Sequence, residues 1–173
     1  MSRPLIGNRL VLAGAVLYLL EWVAIIAASV GVPVGAGVSV HDLTSAYSGH
    51  ADAIGWAAGW FSVVELGRVL LMVGLRDALA RSGKAHPMMD VAVVAMAVSV
   101  TVEIVVYAVS AGAAWSLERG GSVAVTRALD AVAFQTNLMI YGPMGFSVLC
   151  AGLAMWRSGL FGRALSALAM VGG

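Results

Sequence analysis

Long runs of apolar residues, rather than alternating ones, dominate the chain. A helix needs about 20 apolar residues to cross the hydrocarbon core of a bilayer, whereas a membrane β-barrel shows alternation in short segments. Four runs reach that length: Leu10–Val32, Ala53–Leu75, Val91–Trp115 and Ala131–Trp156. The pattern therefore predicts an all-α integral membrane protein, a helical bundle of four full transmembrane helices in one domain over residues 1–173.

A fifth apolar run begins at Ala164 and reaches Gly173. Ten helical residues rise only about 15 Å, half of the hydrocarbon core. We expect this run to be a truncated or partial fifth transmembrane helix. The alternative is a tail that lies at the membrane interface.

Shorter signals lie between the runs. After the first run, the glycine- and serine-rich segment predicts an irregular loop, with a short helical turn over residues 42–47. Asp52 is a candidate cap for the second helix, and Ser122 predicts that the fourth helix starts before its apolar run. Pro143 predicts a kink in that helix.

The composition agrees with a membrane protein and excludes other classes. Hydrophobic residues make up 61% of the chain and charged residues 11%, against roughly 25% charged residues in soluble domains. The net charge of +1 offers no basic face for phosphate, so a nucleic-acid partner is excluded. The single cysteine, Cys150, cannot form an intrachain disulfide or complete a zinc site.

The basic residues predict the orientation, because cytoplasmic loops are enriched in lysine and arginine. Two of them, Arg119 and Arg127, fall on one side of the predicted spans, and Arg68 lies within a span. The other side carries seven: Arg3, Arg9, Arg76, Arg81, Lys84, Arg157 and Arg163. We therefore predict a multi-pass protein of the inner (plasma) membrane with a cytoplasmic N-terminus.

Polar residues deep inside the predicted spans are the main candidates for function. Glutamates lie near the middle of three different spans, and an arginine and a tyrosine follow two of them by about one turn. The fourth span carries polar residues just before Pro143. The candidate ligand- or cation-binding residues are Glu21, Glu65, Arg68, Glu103, Tyr107, Asn137 and Tyr141.

The cost of burying charge in lipid indicates how these residues are arranged. A carboxylate facing lipid costs about 2.5–3.5 kcal/mol or more, so the glutamates are expected to face the bundle interior. Arg68 stays charged, and Glu65 at i−3 is its nearest partner. Two readings remain open: a polar ligand or cation site in the membrane, or hydrogen bonds that only hold the helices together.

The loop after the first span, which the predicted orientation places outside the cell, and the second span hold weaker candidates. His41, His50 and Asp52 are of the residue types that bind metals, but the loop is glycine-rich, so we expect neither a metal site nor a cofactor. Gly55 and Gly59 form a GxxxG pair, a pattern typical of close helix packing within a bundle or between copies. The sequence thus leaves homo-oligomer formation open.

One stretch carries a family resemblance. The run from Met155 to Leu165, with Trp156-Arg157-Ser158-Gly159 at its centre, resembles a bacterial membrane family known as domain of unknown function forty-three eighty-six. The resemblance implies a multi-helix inner-membrane protein and no assigned activity. The chain departs from that family at Gly162, where proline is usual, and at Val100, where arginine is common.

Three functions compete at this point. The first is a non-enzymatic membrane protein that binds a small ligand or cation in its polar midplane, in a transporter-like or sensor-like manner. The second is a structural or accessory subunit whose glutamates serve helix assembly only. The third is an intramembrane enzyme that uses a glutamate as acid or base.

Overall fold

The computed structural model describes residues 6–28, 32–35 and 37–172, and these residues form helices and loops without strands. The N-terminal half holds α1 (Ile6–Ala28), the short α2 (Val40–Tyr47), α3 (Ala51–Val64) and α4 (Leu66–Arg81). The C-terminal half holds α5 (Pro87–Glu118), α6 (Val123–Leu138), α7 (Tyr141–Ser158) and α8 (Arg163–Gly172). The all-helical prediction is confirmed.

Within the described ranges, three helical segments are long and apolar enough to cross a membrane. They are Ala51–Arg81 (31 residues), Pro87–Glu118 (32 residues) and Val123–Ser158 (36 residues). The first combines α3 with α4 and the third combines α6 with α7. Each of these segments is longer at both ends than the apolar run predicted for it, because the polar residues that flank the run are also helical.

The predicted end of the first span is wrong. Helix α1 has 23 residues and ends at Ala28, and Val32 is not helical. Pro33 follows Val32 and disfavours helical dihedral angles at the residue before it. The predicted partial fifth helix corresponds to α8, which packs against α7.

Two long segments are interrupted near their middle. At Glu65 the dihedral angles stay helical (φ −63°, ψ −26°), but the Arg68 N–H donates to the Glu65 carbonyl three residues earlier, at 3.0 Å. Between α6 and α7, Met139 and Ile140 make similar short-range bonds to Thr136 and Asn137. Pro143 lacks an N–H and its ring crowds the carbonyl four residues earlier, which accounts for this second interruption.

The contacts divide the chain into two compact units. The first unit comprises Met1–Leu19, Glu65–Val100 and Tyr141–Gly173, and the second comprises Leu20–Val64 and Thr101–Ile140. The boundaries fall within α1 and α5 and at the two interruptions.

In the first unit, α1 and α4 approach until their backbones touch at two glycines. A Cβ on Gly14 would lie 2.5 Å from the Gly67 carbonyl oxygen, and one on Gly67 would lie 2.6 Å from Leu17 Cβ. Elsewhere in this unit, the Ser147 hydroxyl of α7 donates to the Ala92 carbonyl of α5 at 2.6 Å. Close backbone packing between small residues is the usual way in which helices associate in lipid.

The second unit has its own apolar core, in which α2 packs against α3 and α5. Leu43 and Tyr47 of α2 are fully buried. They pack with Ala51 and Ile54 of α3 and with Ala113 and Ala114 of α5. The short helix is therefore part of the packed structure and not a solvated turn.

Gly14→Ala tests the contact between α1 and α4. The added methyl group has no space, and overpacking of this kind costs about 1–3 kcal/mol. We expect a clear loss of thermal stability in detergent. Gly142→Ala is the matched control, because nothing lies within 4 Å of a Cβ there. Equal melting temperatures for the two variants would contradict the contact.

Candidate functional site

The central candidate is the pair formed by Glu65 and Arg68 at the interruption between α3 and α4. The Glu65 side chain is fully buried, and the Arg68 side chain is 11% exposed. Arg68 Nη2 lies 3.8 Å from Glu65 Oε1, at ion-pair distance. Both charges therefore lie within one turn of a segment that is long and apolar enough to cross a membrane.

Neighbouring helices fix the position of this pair. Gly67, between the two residues, is the point of contact with α1, so the turn that carries both side chains is held against another backbone. Arg68 Nη1 lies 3.7 Å from the Met144 sulfur of α7. Met144 lies one residue after Pro143, so the second halves of both interrupted segments meet at Arg68.

In the first unit, the Glu65 carboxylate and the Arg68 guanidinium therefore lie together where α4 and α7 meet. Helices α4 and α7 both begin there, directly after the two interruptions. A guanidinium and a carboxylate beside two helix starts can bind a ligand that carries both acceptor and donor groups.

The other predicted residues are distributed between the two units. Tyr141, in the first unit, is 59% exposed and does not join the buried polar groups as expected, because it is the first residue of α7 and lies on its outer side. Asn137, in the second unit, is partly buried near the end of α6.

Glu21, Glu103 and Tyr107 belong to the second unit. Glu21 is 6% exposed, in agreement with an inward-facing carboxyl. Glu103 is partly buried. The Tyr107 ring stacks on Phe61, with ring centroids 4.4 Å apart, which fixes the ring between α3 and α5.

The best-defined polar site in the second unit centres on Asp130, a residue that the sequence reading missed. Asp130 is 2% exposed and lies in α6. Its Oδ1 accepts hydrogen bonds from the Val34 N–H at 2.9 Å and from the Tyr47 hydroxyl at 2.7 Å. Its Oδ2 accepts one from the Gly35 N–H at 3.0 Å.

The backbone conformation of the loop at Gly35 allows its N–H groups to reach the Asp130 carboxylate. Gly35 has φ +93°, and a Cβ there would lie 2.8 Å from the Phe134 ring. Only glycine suits both constraints. Burial, together with the hydrogen bond and charge of Asp130, raises the pKa of Tyr47, so the hydroxyl remains a donor at physiological pH. Asp130 thus anchors the loop residues Val34 and Gly35, together with α2, to α6.

The residues considered for a metal site lie in and beside α2 and α3. His41, His50 and Asp52 are exposed, and no group of three potential metal ligands occurs among the described residues. Asp52 also does not cap α3, because it lies one residue inside that helix. The first helical N–H, that of Ala51, donates instead to Glu118 Oε1 at 2.9 Å.

The GxxxG pair makes no close contact within the described part of the chain. Nothing lies within 4 Å of a Cβ at Gly55 or Gly59. The close glycine contact is the one between Gly14 and Gly67. Packing between copies through Gly55 and Gly59 stays a prediction.

Comparisons with protein families, with curated proteins and with solved structures found no match for this chain. The resemblance at Met155–Leu165 therefore stays an expectation.

Asp130→Ala tests the loop anchor. The change leaves the Val34 N–H, the Gly35 N–H and the Tyr47 hydroxyl without their acceptor, and each lost hydrogen bond to a charged group costs about 1.5–3 kcal/mol. We expect faster amide hydrogen exchange over residues 32–47 and lower thermal stability. Tyr47→Phe, which removes one donor, should have a smaller effect. Asp42→Asn is the control on an exposed residue of α2, and equal exchange in it and in Asp130→Ala would refute the anchor.

Proposed function

We propose that the protein is a four-span helical protein of the inner (plasma) membrane that binds a small polar ligand at Glu65 and Arg68, in a transporter-like or sensor-like manner. The observation that carries the proposal is the buried ion pair at an interruption of a segment able to cross a membrane. Ionisable groups at such depth are costly, and they mark ligand or ion pathways in membrane proteins. Interrupted helices are a common way to expose polar groups in such pathways.

The pair favours a ligand that carries both a hydrogen-bond acceptor and a donor, or both a negative and a positive charge, over a bare cation. A metal or alkali ion beside Glu65 would also lie beside the Arg68 guanidinium and be repelled by it. A ligand with an acceptor for Arg68 and a donor for Glu65 is attracted by both groups. Met144 adds an apolar, polarisable contact beside the guanidinium.

The surroundings of Asp130 favour a second candidate function, that of an accessory subunit that binds no ligand. This buried carboxylate holds a loop in place through three hydrogen bonds. A buried acid in this chain thus has a purely structural use, and Glu65 with Arg68 would have the same use if their surroundings exclude water. Access of water to the pair separates the two candidates.

Cysteine labelling measures that access. In a Cys150→Ala background in lipid nanodiscs, Met144→Cys places a thiol beside Arg68. An anionic methanethiosulfonate reagent reacts only with thiols that water reaches, and Arg68 attracts it. We expect Met144→Cys to react. Ala154→Cys, fully buried in the same helix, is the control. Equal protection of both thiols would overturn the ligand site and favour the accessory subunit.

The same background tests the proposed cytoplasmic N-terminus. Ser48 and Ser82 are both exposed and lie on opposite sides of the segment Ala51–Arg81. In intact cells, an impermeant reagent should label Ser48→Cys and not Ser82→Cys. The opposite pattern would reverse the orientation.

A further inference from the structure

A cleft in the first unit has the features of a second binding site. It encloses about 430 Å³, a size typical of pockets for small ligands. Two arginines, two aspartates and a histidine line it together with apolar residues: Arg76, Arg81, Asp77, Asp90, His86, Leu10 and Val73 among them. Neither Glu65 nor Arg68 contributes to this cleft.

The charges that line the cleft are balanced and held in pairs. Arg76 of α4 forms a salt bridge with Asp90 of α5. Arg81 binds Asp77 side-on, with Nη2–Oδ2 at 2.7 Å and Nε–Oδ1 at 3.1 Å. A guanidinium has five N–H groups and a carboxylate has about four acceptor positions, so each pair retains capacity for a further partner. A balanced lining favours a zwitterion over a simple anion.

His86 and Arg157 indicate where the negative group of such a ligand lies. His86 Nδ1 accepts a hydrogen bond from the Met88 N–H at 3.2 Å. A neutral imidazole that accepts at Nδ1 carries its hydrogen on Nε2. Arg157 Nη1 lies 3.5 Å from that Nε2, and arginine is only a donor. The His86 Nε2–H and the Arg157 guanidinium are thus two neighbouring donors. An anionic group placed between them can accept a hydrogen bond from each.

The cleft also has apolar lining residues, which favour an amphiphilic ligand over a purely polar one. Val73 lies one turn before Arg76 in α4, further from the helix end, and Leu10 of α1 lines the same cleft. Apolar groups thus come first along α4, and charged groups follow towards its end at Arg81. A phospholipid at a membrane surface presents the same order, with chains first and headgroup after.

We propose that this cleft binds a phosphoethanolamine group, with the phosphate at His86 and the arginines and the primary ammonium at Asp77 and Asp90. The group belongs to a phospholipid headgroup or to a soluble phosphoethanolamine compound. The proposal is independent of a ligand at Glu65 and Arg68, because the two sites share no residue.

Native mass spectrometry of the detergent-purified protein tests the proposal. Phosphatidylethanolamine, phosphatidylcholine and phosphatidylglycerol with identical chains are titrated separately. We expect saturable binding of one phosphatidylethanolamine. It should be roughly tenfold tighter than binding of the other two lipids, since each lacks a primary ammonium that donates to the aspartates. Equal binding of the three lipids, or preference for either other lipid, would overturn the proposal.

Variants assign the binding to the cleft. His86→Ala, Arg157→Gln and Asp90→Asn should each weaken phosphatidylethanolamine binding roughly tenfold. Arg157 is included because it lies against His86 of the cleft, although it is not part of the lining itself. Arg163→Gln, a change at an exposed cation of α8, is the control. Circular dichroism confirms that each variant folds. Unchanged binding in all three folded cleft variants would overturn the assignment.

Competition with soluble phosphoethanolamine separates the two sources of the group. Displacement of the lipid by the soluble compound at comparable concentration supports a soluble ligand. Retention of the lipid supports a headgroup site. If neither phosphatidylethanolamine nor the soluble compound binds, the proposal is wrong.

Discussion

A guanidinium inside a segment that is long and apolar enough to cross a membrane is the constraint on which the first unit depends. Arg68 cannot lose its charge, and exposure of that charge to lipid would be costly. The structure meets this constraint with a buried carboxylate one turn away and a thioether from α7. The glycine contact between α1 and α4 lies between the two charged residues. Packing and charge neutralisation therefore occur at the same turn and support each other.

Two buried acids in this chain have different surroundings. Asp130 accepts hydrogen bonds from two backbone N–H groups of the loop before α2 and from a tyrosine hydroxyl, an arrangement that stabilises this loop. Glu65 has a charged partner one turn away, with Arg68 Nη2 3.8 Å from its Oε1. The proposed ligand site at Glu65 and Arg68 rests on two charges inside a segment that is long and apolar enough to cross a membrane. The structural role of Asp130 rests on the loop and the tyrosine that its hydrogen bonds hold.

Features set by neighbouring residues could be predicted from the sequence. The long apolar runs predicted the helices, Ser122 predicted the start of α6, and the spacing of Glu65 and Arg68 predicted residues one turn apart. Ser122 indeed caps α6, with its side chain accepting from the Val125 N–H. These features depend on helical periodicity and on capping, which act over a few residues.

Features set by distant residues could not be predicted in this way. Asp130 has its donors 83 to 96 positions away along the chain, and it lies among apolar residues that resemble any buried helix. The Ala51 N–H finds its acceptor at Glu118, 67 positions away, so the local candidate Asp52 was the wrong cap. The cleft at His86 likewise combines residues from α1, α4, α5 and a loop, which no local pattern connects.

The central claim is that Glu65 and Arg68 neutralise each other inside the bundle. A double-mutant cycle with Arg68→Met, Glu65→Gln and the double variant tests it through thermal unfolding in detergent. Removing one member of a buried pair typically costs about 3–5 kcal/mol, and removing both should cost much less than the sum. Arg68→Met should also lose stability as pH rises from about 5 to 9, because the buried Glu65 carboxylate has then lost the Arg68 charge and protonation, which neutralises it, becomes rarer as pH rises. Additive losses without pH dependence would contradict the account, since each residue would then act alone.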